Sequence, residues 1–122
     1  VPGSSRWFSG GIIAYSNAVK VRRLGVPTRL LARHGAVSAE CALAMARGAR
    51  AAAGARIGIA ITGIAGPNGG TKAKPLGRVY VAVSGPGARG RARVHDLHGS
   101  RAAVRERAVT AALSLLLETL AS

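Results

Sequence analysis

The segment RIGIAITGIAGPNGGTKAKPLGRVYVAV, residues 56–83, contains two apolar runs separated by a long glycine-rich stretch. Residues 56–62 and 78–83 are rich in small and branched apolar side chains, which is typical of buried strands. Between them, residues 62–77 hold five glycines, two prolines and two lysines in sixteen positions. Loops of this length are uncommon in compact domains and are usually either functional or disordered. The segment therefore predicts two strands joined by a loop that either binds a ligand or is disordered.

Helical patterns precede and follow these strands. The predicted elements are, in order, a strand ending near Tyr15, a short helix from an Asn17 cap to Gly25, a helical turn over 28–35, a helix over 39–53, strands over 56–62, 77–85 and 90–97, and a long helix opening at Ser100 or Arg101. Residues 86–89, PGAR, suit a hairpin turn between the last two strands. Strands interleaved with helices indicate a layered α/β domain, and the hairpin favours a mixed sheet.

Two of these helices carry informative patterns. Ser38 is a favourable N-cap for the helix over 39–53, and Glu40 in its first turn suits the helix dipole. The apolar stripe of this helix has helical spacing and is interpreted as core; it consists of Cys41, Ala44, Met45, Gly48 and Ala52. The last helix is basic at its start and apolar almost all round in its second half. A neighbouring layer or a second subunit must therefore cover it on more than one side.

The composition is that of one globular domain in a reducing compartment. The chain has 122 residues, enough for one core, and 48% of them are apolar. No apolar run approaches the roughly 18 residues that cross a bilayer, and no secretory signal pattern opens the sequence. The single cysteine, Cys41, excludes an internal disulfide. These features predict a cytoplasmic protein with no membrane partner.

The chain is strongly basic. Its net charge is +14, from 18 Lys and Arg against 4 Asp and Glu. Such an excess indicates an anionic partner (nucleic acid, a membrane surface or a phosphorylated small molecule) or reflects a GC-rich genome. The basic residues are scattered, and aromatic residues make up only 3% of the chain, which leaves few platforms for stacking bases. Nucleic acid is therefore the less favoured partner.

The loop after the first of the two strands is one candidate site. Small residues there allow backbone N–H groups to approach a bound anion closely. The candidate binding residues are Thr62, Gly63, Ile64, Ala65, Gly66, Pro67 and Gly70, with Lys74 as a nearby cation. Their spacing matches neither the Walker nor the dinucleotide-binding pattern. A disordered surface loop is the alternative.

The segment AYSNAVK, residues 14–20, is the second candidate. It places Tyr15 at a strand end, a Ser-Asn pair after it, and Lys20 in the first turns of a helix. A lysine beside a hydroxyl nucleophile can act as its base when desolvation and neighbouring cations favour the neutral amine. A solvated lysine on a helix surface is the alternative.

Metal and paired-carboxylate chemistry have little support. The three histidines, His34, His95 and His98, lack the spacing of a metal site with further ligands. The four acidic residues are scattered, which disfavours a hydrolase that uses two carboxylates.

Four motifs resemble those of one protein family. They are VPGSSRWFSGGIIAYSNAVKVRRLGVP, HGAVSAE, ITGIAGPNGGTKAKPLGRVYVAV and RAAVRERAV, and the resemblance runs over essentially all 122 residues. The chain resembles the C-terminal domain of the CinA (competence/damage-inducible) family, whose members are nicotinamide mononucleotide amidohydrolases. The Tyr-Ser-Asn-x-x-Lys pattern and the glycine-rich loop are its most specific parts.

The resemblance implies a three-layer α/β/α domain that hydrolyses the carboxamide of nicotinamide mononucleotide, giving nicotinate mononucleotide and ammonia without a cofactor. Lys20 matches the family's general base and Tyr15 the tyrosine beside it. The substrate pocket would be lined by Asn17 and the loop, with Lys74, Arg101 and Arg105 as candidate partners of the phosphate. A homodimer is the expected assembly.

The resemblance also implies a part that this sequence does not contain. The family's nucleophile is the serine of a Glu-Ser-Cys-Thr-Gly-Gly motif upstream of Val-Pro-Gly-Ser-Ser, carried by a strand–helix unit. Because the sequence opens at Val1 without this unit, residues 1–122 are expected to be an N-terminally truncated domain without deamidase activity. At three positions, Ala18, Asn68 and Ser100, relatives have acidic residues. The alternatives are a non-catalytic nucleotide- or partner-binding module and, less favoured, a nucleic-acid-binding protein.

Overall fold

The computed structural model describes residues 10–11, 14, 16–63, 76–86 and 90–121. Within these residues the elements are α1 (Asn17–Leu24), α2 (Thr28–His34), α3 (Ala39–Ala53), β1 (Gly58–Gly63), β2 (Arg78–Ser84), β3 (Gly90–Asp96) and α4 (Arg101–Ala121). Their order and type are those predicted from the sequence. The predicted strand ending near Tyr15 and most of the predicted turn at 86–89 lie outside the described residues.

Polar caps and glycines fix the ends of the helices. Ser16, rather than the predicted Asn17, is the N-cap of α1, because its backbone is extended and its hydroxyl accepts a hydrogen bond from the first turn. Ser38 caps α3 as predicted, with a bond of 3.1 Å from the first-turn backbone. Gly25 and Gly54 end α1 and α3 in the left-handed conformation, at φ 66° and 60°, which glycine adopts at the least cost.

The described sheet has the order β1-β2-β3, with β2 in the centre. Both pairings are antiparallel: Gly58 is opposite Ser84 in the first, and Arg78 is opposite Asp96 in the second. The predicted mixed sheet is therefore not seen in this part of the chain. Residues 85–89, which join β2 to β3, are too few for the crossover that a parallel pair requires. The strand predicted to end near Tyr15 lies outside the described residues.

Side chains of β2 alternate between two helical layers. Tyr80 and Ala82 face the layer of α1, α2 and α3, whereas Val79, Val81 and Val83 face α4. The helices therefore cover both faces of the sheet, which gives three layers, α/β/α, within the described residues. The domain has two apolar cores separated by a single sheet.

The long helix α4 is covered on one side only by the described residues. Its buried stripe follows helical spacing and consists of Val104, Ala108, Ala112, Leu115 and Thr119. A second apolar stripe is exposed, formed by Val109, Leu113, Leu117 and Leu120. Among the described helices, none is long and apolar enough to cross a membrane.

Candidate active site

Lys20 is the most unusual polar residue of the described chain. It lies in the second turn of α1 and only 6% of it is exposed. Its Nζ atom donates a hydrogen bond to the carbonyl oxygen of Ala14 at 3.1 Å. Among the described residues, no carboxylate lies within ion-pair distance of this amine.

Burial without a counter-ion separates Lys20 from an ordinary surface lysine. A buried ammonium group is costly unless it is paired or fully hydrogen-bonded. The prediction of a solvated lysine is therefore wrong, and the interpretation of Lys20 as a base gains the burial that it requires.

The other polar residues of the AYSNAVK segment are Tyr15, Ser16 and Asn17. Asn17 is exposed at the start of α1, so its side chain is accessible to a ligand. Ser16 is committed to capping α1 through a bond of 3.2 Å to the Val19 amide. Tyr15 lies outside the described residues.

At the end of β1, Thr62 and Gly63 have structural roles in addition to their predicted binding roles. Thr62 is 8% exposed, and its Oγ1 atom donates to the carbonyl oxygen of Ala36 at 2.7 Å. Gly63 lies so close to β2 that a Cβ atom would be 2.8 Å from the Arg78 carbonyl oxygen. The predicted loop residues Ile64, Ala65, Gly66, Pro67, Gly70 and Lys74 lie outside the described residues.

The partner of Thr62 belongs to the junction between α2 and α3, which the sequence interpretation did not assign to a site. In this junction Ser38 donates to the Gly35 carbonyl at 2.9 Å, and His34 lies 3.4 Å from Glu40 across the turn. The signal in the sequence was the HGAVSAE motif, which had been quoted only for its resemblance. The junction holds the strand end from which the glycine-rich loop departs.

Of the two predicted phosphate-binding arginines, Arg105 lies beside the same strand end. It lines a cavity of about 210 Å³ together with Gly63 and apolar residues of β1, β2 and α4. Arg101 is exposed in the first turn of α4. No hydrogen bond or ion pair joins Lys20 to Thr62 or Arg105 within the described residues.

The clearest charge pairs lie on the edge strand β3, apart from these groups. The Nε atom of Arg78 donates a hydrogen bond to Oδ1 of Asp96 at 2.8 Å. This bond lowers the pKa of Asp96 and raises the pKa of Arg78. A hydrogen bond from Arg93 likewise lowers the pKa of Glu118, which bridges β3 and α4 at 2.5 Å. Both pairs are exposed and join elements of the fold. No group of His, Cys, Asp and Glu that could hold a metal is found in the described part of the chain.

Comparison with known proteins agrees with the motifs. Residues 1–120 match the family described as the CinA C-terminal domain. The chain belongs to this family. The match spans the second candidate segment, the α2–α3 junction and the glycine-rich loop.

Relatives of known sequence and structure support the assignment to the CinA C-terminal domain family. The chain is 52% identical over 118 residues to a protein of Pseudomonas putida named nicotinamide-nucleotide amidohydrolase PncC, covering 97% of this chain and 73% of that protein. It is 54% identical to a CinA-like protein of Anaeromyxobacter dehalogenans over 95% of this chain but only 28% of that protein. The crystal structure of the competence/damage inducible protein CihA from Agrobacterium tumefaciens superimposes with a TM-score of 0.92 at 36% identity, covering 98% of this chain and 73% of that one.

Proposed function

We propose that this domain belongs to an amidohydrolase that converts nicotinamide mononucleotide to nicotinate mononucleotide and ammonia. The observation that carries the proposal is the burial of Lys20 without a carboxylate partner, in a chain 52% identical to a protein named nicotinamide-nucleotide amidohydrolase. A general base needs an amine that is held in place and released from competing ion pairs. Within the described residues, Lys20 meets both conditions, since its amine donates to the Ala14 carbonyl and has no carboxylate partner.

The nucleophile in this proposal is the family's serine, in a strand–helix unit upstream of the segment that residues 1–122 represent. Lys20 takes the proton of that serine as its oxygen attacks the carboxamide carbon. The tetrahedral intermediate then expels ammonia, with the proton returned from Lys20, and water releases nicotinate mononucleotide from the serine ester. Residues 1–122 alone contain the base but not the nucleophile, so they are proposed to be inactive.

The substrate's phosphate needs a cation near the strand end. Arg105 is the best placed of the described candidates because it shares a cavity with Gly63. Guanidinium groups bind phosphate through two parallel hydrogen bonds. Tyr15 remains a proposed catalytic residue beside Lys20. Asn17, Lys74, Arg101, Gly70 and the loop residues from Thr62 to Pro67 remain proposed binding residues.

A homodimer is also proposed, with the exposed stripe of α4 as its contact surface. The stripe consists of Val109, Leu113, Leu117 and Leu120, at 50 to 68% exposure. Contiguous exposed apolar surface on a helix usually marks an interaction face. Sedimentation of the full-length protein as a monomer would contradict this assembly and leave the upstream unit as the cover of the stripe.

The test of the activity is ammonia release from nicotinamide mononucleotide by the gene product that includes the upstream serine motif. Lys20→Met keeps the apolar stem and removes the amine, and we expect it to lower kcat by about 10² to 10⁴. Arg23→Ala, an exposed change on the same helix, is the control and should leave kcat unchanged.

Measuring the affinity for nicotinamide mononucleotide alongside turnover distinguishes the possible outcomes of this test. Loss of turnover with unchanged affinity for nicotinamide mononucleotide supports Lys20 as the base. Turnover by Lys20→Met at the rate of the unsubstituted protein would refute that role. Binding without turnover in the unsubstituted full-length protein would instead favour a non-catalytic nucleotide-binding module.

A further inference from the structure

A second cavity lies at the opposite end of the sheet from the candidate active site. It has a volume of about 390 Å³ and is lined by residues near the C-terminal end of α3 and by Ser84 of β2. Ser84 is opposite Gly58 at the start of β1, whereas the strand end at Gly63 is opposite Val79. Five residues of strand separate the two ends, or about 17 Å. The cavity is therefore distinct from the strand end that carries the glycine-rich loop.

Two arginines give this cavity its chemical character. Arg47 and Arg50 both line it, and none of the chain's acidic residues does. Three of the four acidic residues lie beside basic residues elsewhere: Glu40 beside His34, Asp96 beside Arg78, and Glu118 beside Arg93. The cavity thus carries two positive charges with no carboxylate to neutralise them, and guanidinium pairs of this kind favour phosphate.

The geometry holds these donors in place around Ser84. Arg50 donates from Nη1 to the carbonyl oxygen of Gly85 at 2.7 Å, which fixes the guanidinium and leaves its other N–H groups for a ligand. The Nη2 atom of Arg47 lies 3.7 Å from the position that a Cβ would occupy on Gly90, the strand partner of Ser84. Ser84 is 4% exposed and adds a hydroxyl donor to the cavity wall.

Arginines at a helix C-terminus also have a purely structural explanation. They interact favourably with the negative end of the helix dipole. Here, however, two of the last four carbonyls of α3 already accept bonds from the backbone, since Gly54 N–H binds the carbonyl of Ala51 and Ala55 N–H binds that of Arg50. The side chain of Arg50 donates instead to the carbonyl oxygen of Gly85, directly after β2. The guanidinium group of Arg50 therefore does not cap its own helix.

We infer that Arg47, Arg50 and Ser84 form a second anion site, which binds the phosphate group of a small molecule. The inference does not depend on the proposed deamidase activity, because it uses neither Lys20 nor the glycine-rich loop. The cavity is larger than a phosphate ion, and its remaining space accommodates the group that carries the phosphate.

The test is a titration of the full-length gene product with inorganic phosphate and with a nucleoside monophosphate, at constant ionic strength set by chloride. Backbone amide shifts report the position of binding. We expect saturable shifts at Ser84, Gly85 and Gly54 that Lys20→Met leaves unchanged. Tighter binding of the monophosphate than of the free ion would identify a phosphate ester as the ligand, and equal binding would identify phosphate itself.

Arg47→Gln is the decisive variant because Arg47 is exposed, so its loss should not prevent folding. We expect it to weaken binding at this cavity by about tenfold or more. Arg29→Gln removes the same charge from the exposed surface of α2 and should have no effect. No saturable shift at Ser84 beyond that given by chloride, or equal weakening by both variants, would overturn the inference.

Discussion

The two faces of the sheet are built from different kinds of side chain. The face toward α3 packs small residues and contains every polar side chain that the site interpretation uses from the sheet, including Thr62 and Ser84. The face toward α4 packs valines of β2 against Val104 and Leu115. The first face brings backbones close together and holds polar groups, whereas the second supplies apolar burial. The two layers therefore stabilise the domain in different ways, although they share one strand.

Removing a large side chain from the α4 face should have the largest effect on stability. Leu115 is 1% exposed and lies in the valine-rich core. Leu115→Ala should lower the free energy of unfolding by about 2 to 5 kcal/mol, because it removes buried apolar surface and leaves a cavity. Leu76→Ala, at a position 43% exposed and outside the proposed dimer surface, is the control and should cost far less. Chemical denaturation measures both, and equal losses would mean that α4 is not anchored by its buried stripe.

The α3 face should respond instead to added volume. A Cβ on Gly48 would overlap the carbonyl oxygen of Leu24, where α1 crosses α3. In an exposed helix, Gly→Ala stabilises by about 1 kcal/mol. Here we expect Gly48→Ala to destabilise by about 1 to 3 kcal/mol, because the helices must move apart.

The control for this sign reversal lies in the same helix. The prediction that Ala52 lies in the core stripe is wrong, because Ala52 is exposed near the end of α3. Ala52→Gly should therefore cost about 1 kcal/mol from helix propensity alone. A gain in thermal stability for Gly48→Ala would show that the crossing of α1 and α3 tolerates a methyl group. The close approach of backbones would then not distinguish the α3 face from the α4 face.

This contrast also explains which features the sequence could predict. Local patterns determined the helices and strands, because capping at Ser38 and alternation in β2 act over a few residues. Gly48 was correctly placed in the core stripe, but its contact with Leu24 depends on how two helices cross and has no local signature. The burial of Lys20 likewise depends on tertiary packing, so spacing alone favoured a solvated lysine. The antiparallel pairing of β2 with β3 follows from the short connection at the predicted hairpin. The antiparallel pairing of β1 with β2 spans a long connection and has no local signal, so the predicted mixed sheet was wrong for the described strands.

A polar contact on the α3 face should have an intermediate effect. Thr62→Val keeps the shape of the side chain and removes the bond of 2.7 Å to the Ala36 carbonyl. We expect a loss of about 1 to 2 kcal/mol in the free energy of unfolding, since the carbonyl loses its donor in a partly buried place. Thr110→Val is the control, because the Thr110 hydroxyl bonds within exposed α4 at 3.2 Å. Equal losses in both variants would mean that the hydrogen bond from Thr62 to the α2–α3 junction does not stabilise the end of β1.

The exposed edge strand should show the smallest effect, and only as a dependence on pH. Arg78 lowers the pKa of Asp96, so this carboxylate favours the folded state above its unfolded pKa of about 3.9. That contribution is lost as pH falls through the lower pKa of the folded state. Asp96→Asn removes it, so the difference in Tm between this variant and the unsubstituted chain should be small at neutral pH and shrink toward about pH 3. A difference that stays constant with pH would mean that Asp96 acts through packing rather than charge. In that case β3 would stabilise the domain through packing, as the apolar α4 face does, and its contribution would not depend on an ion pair.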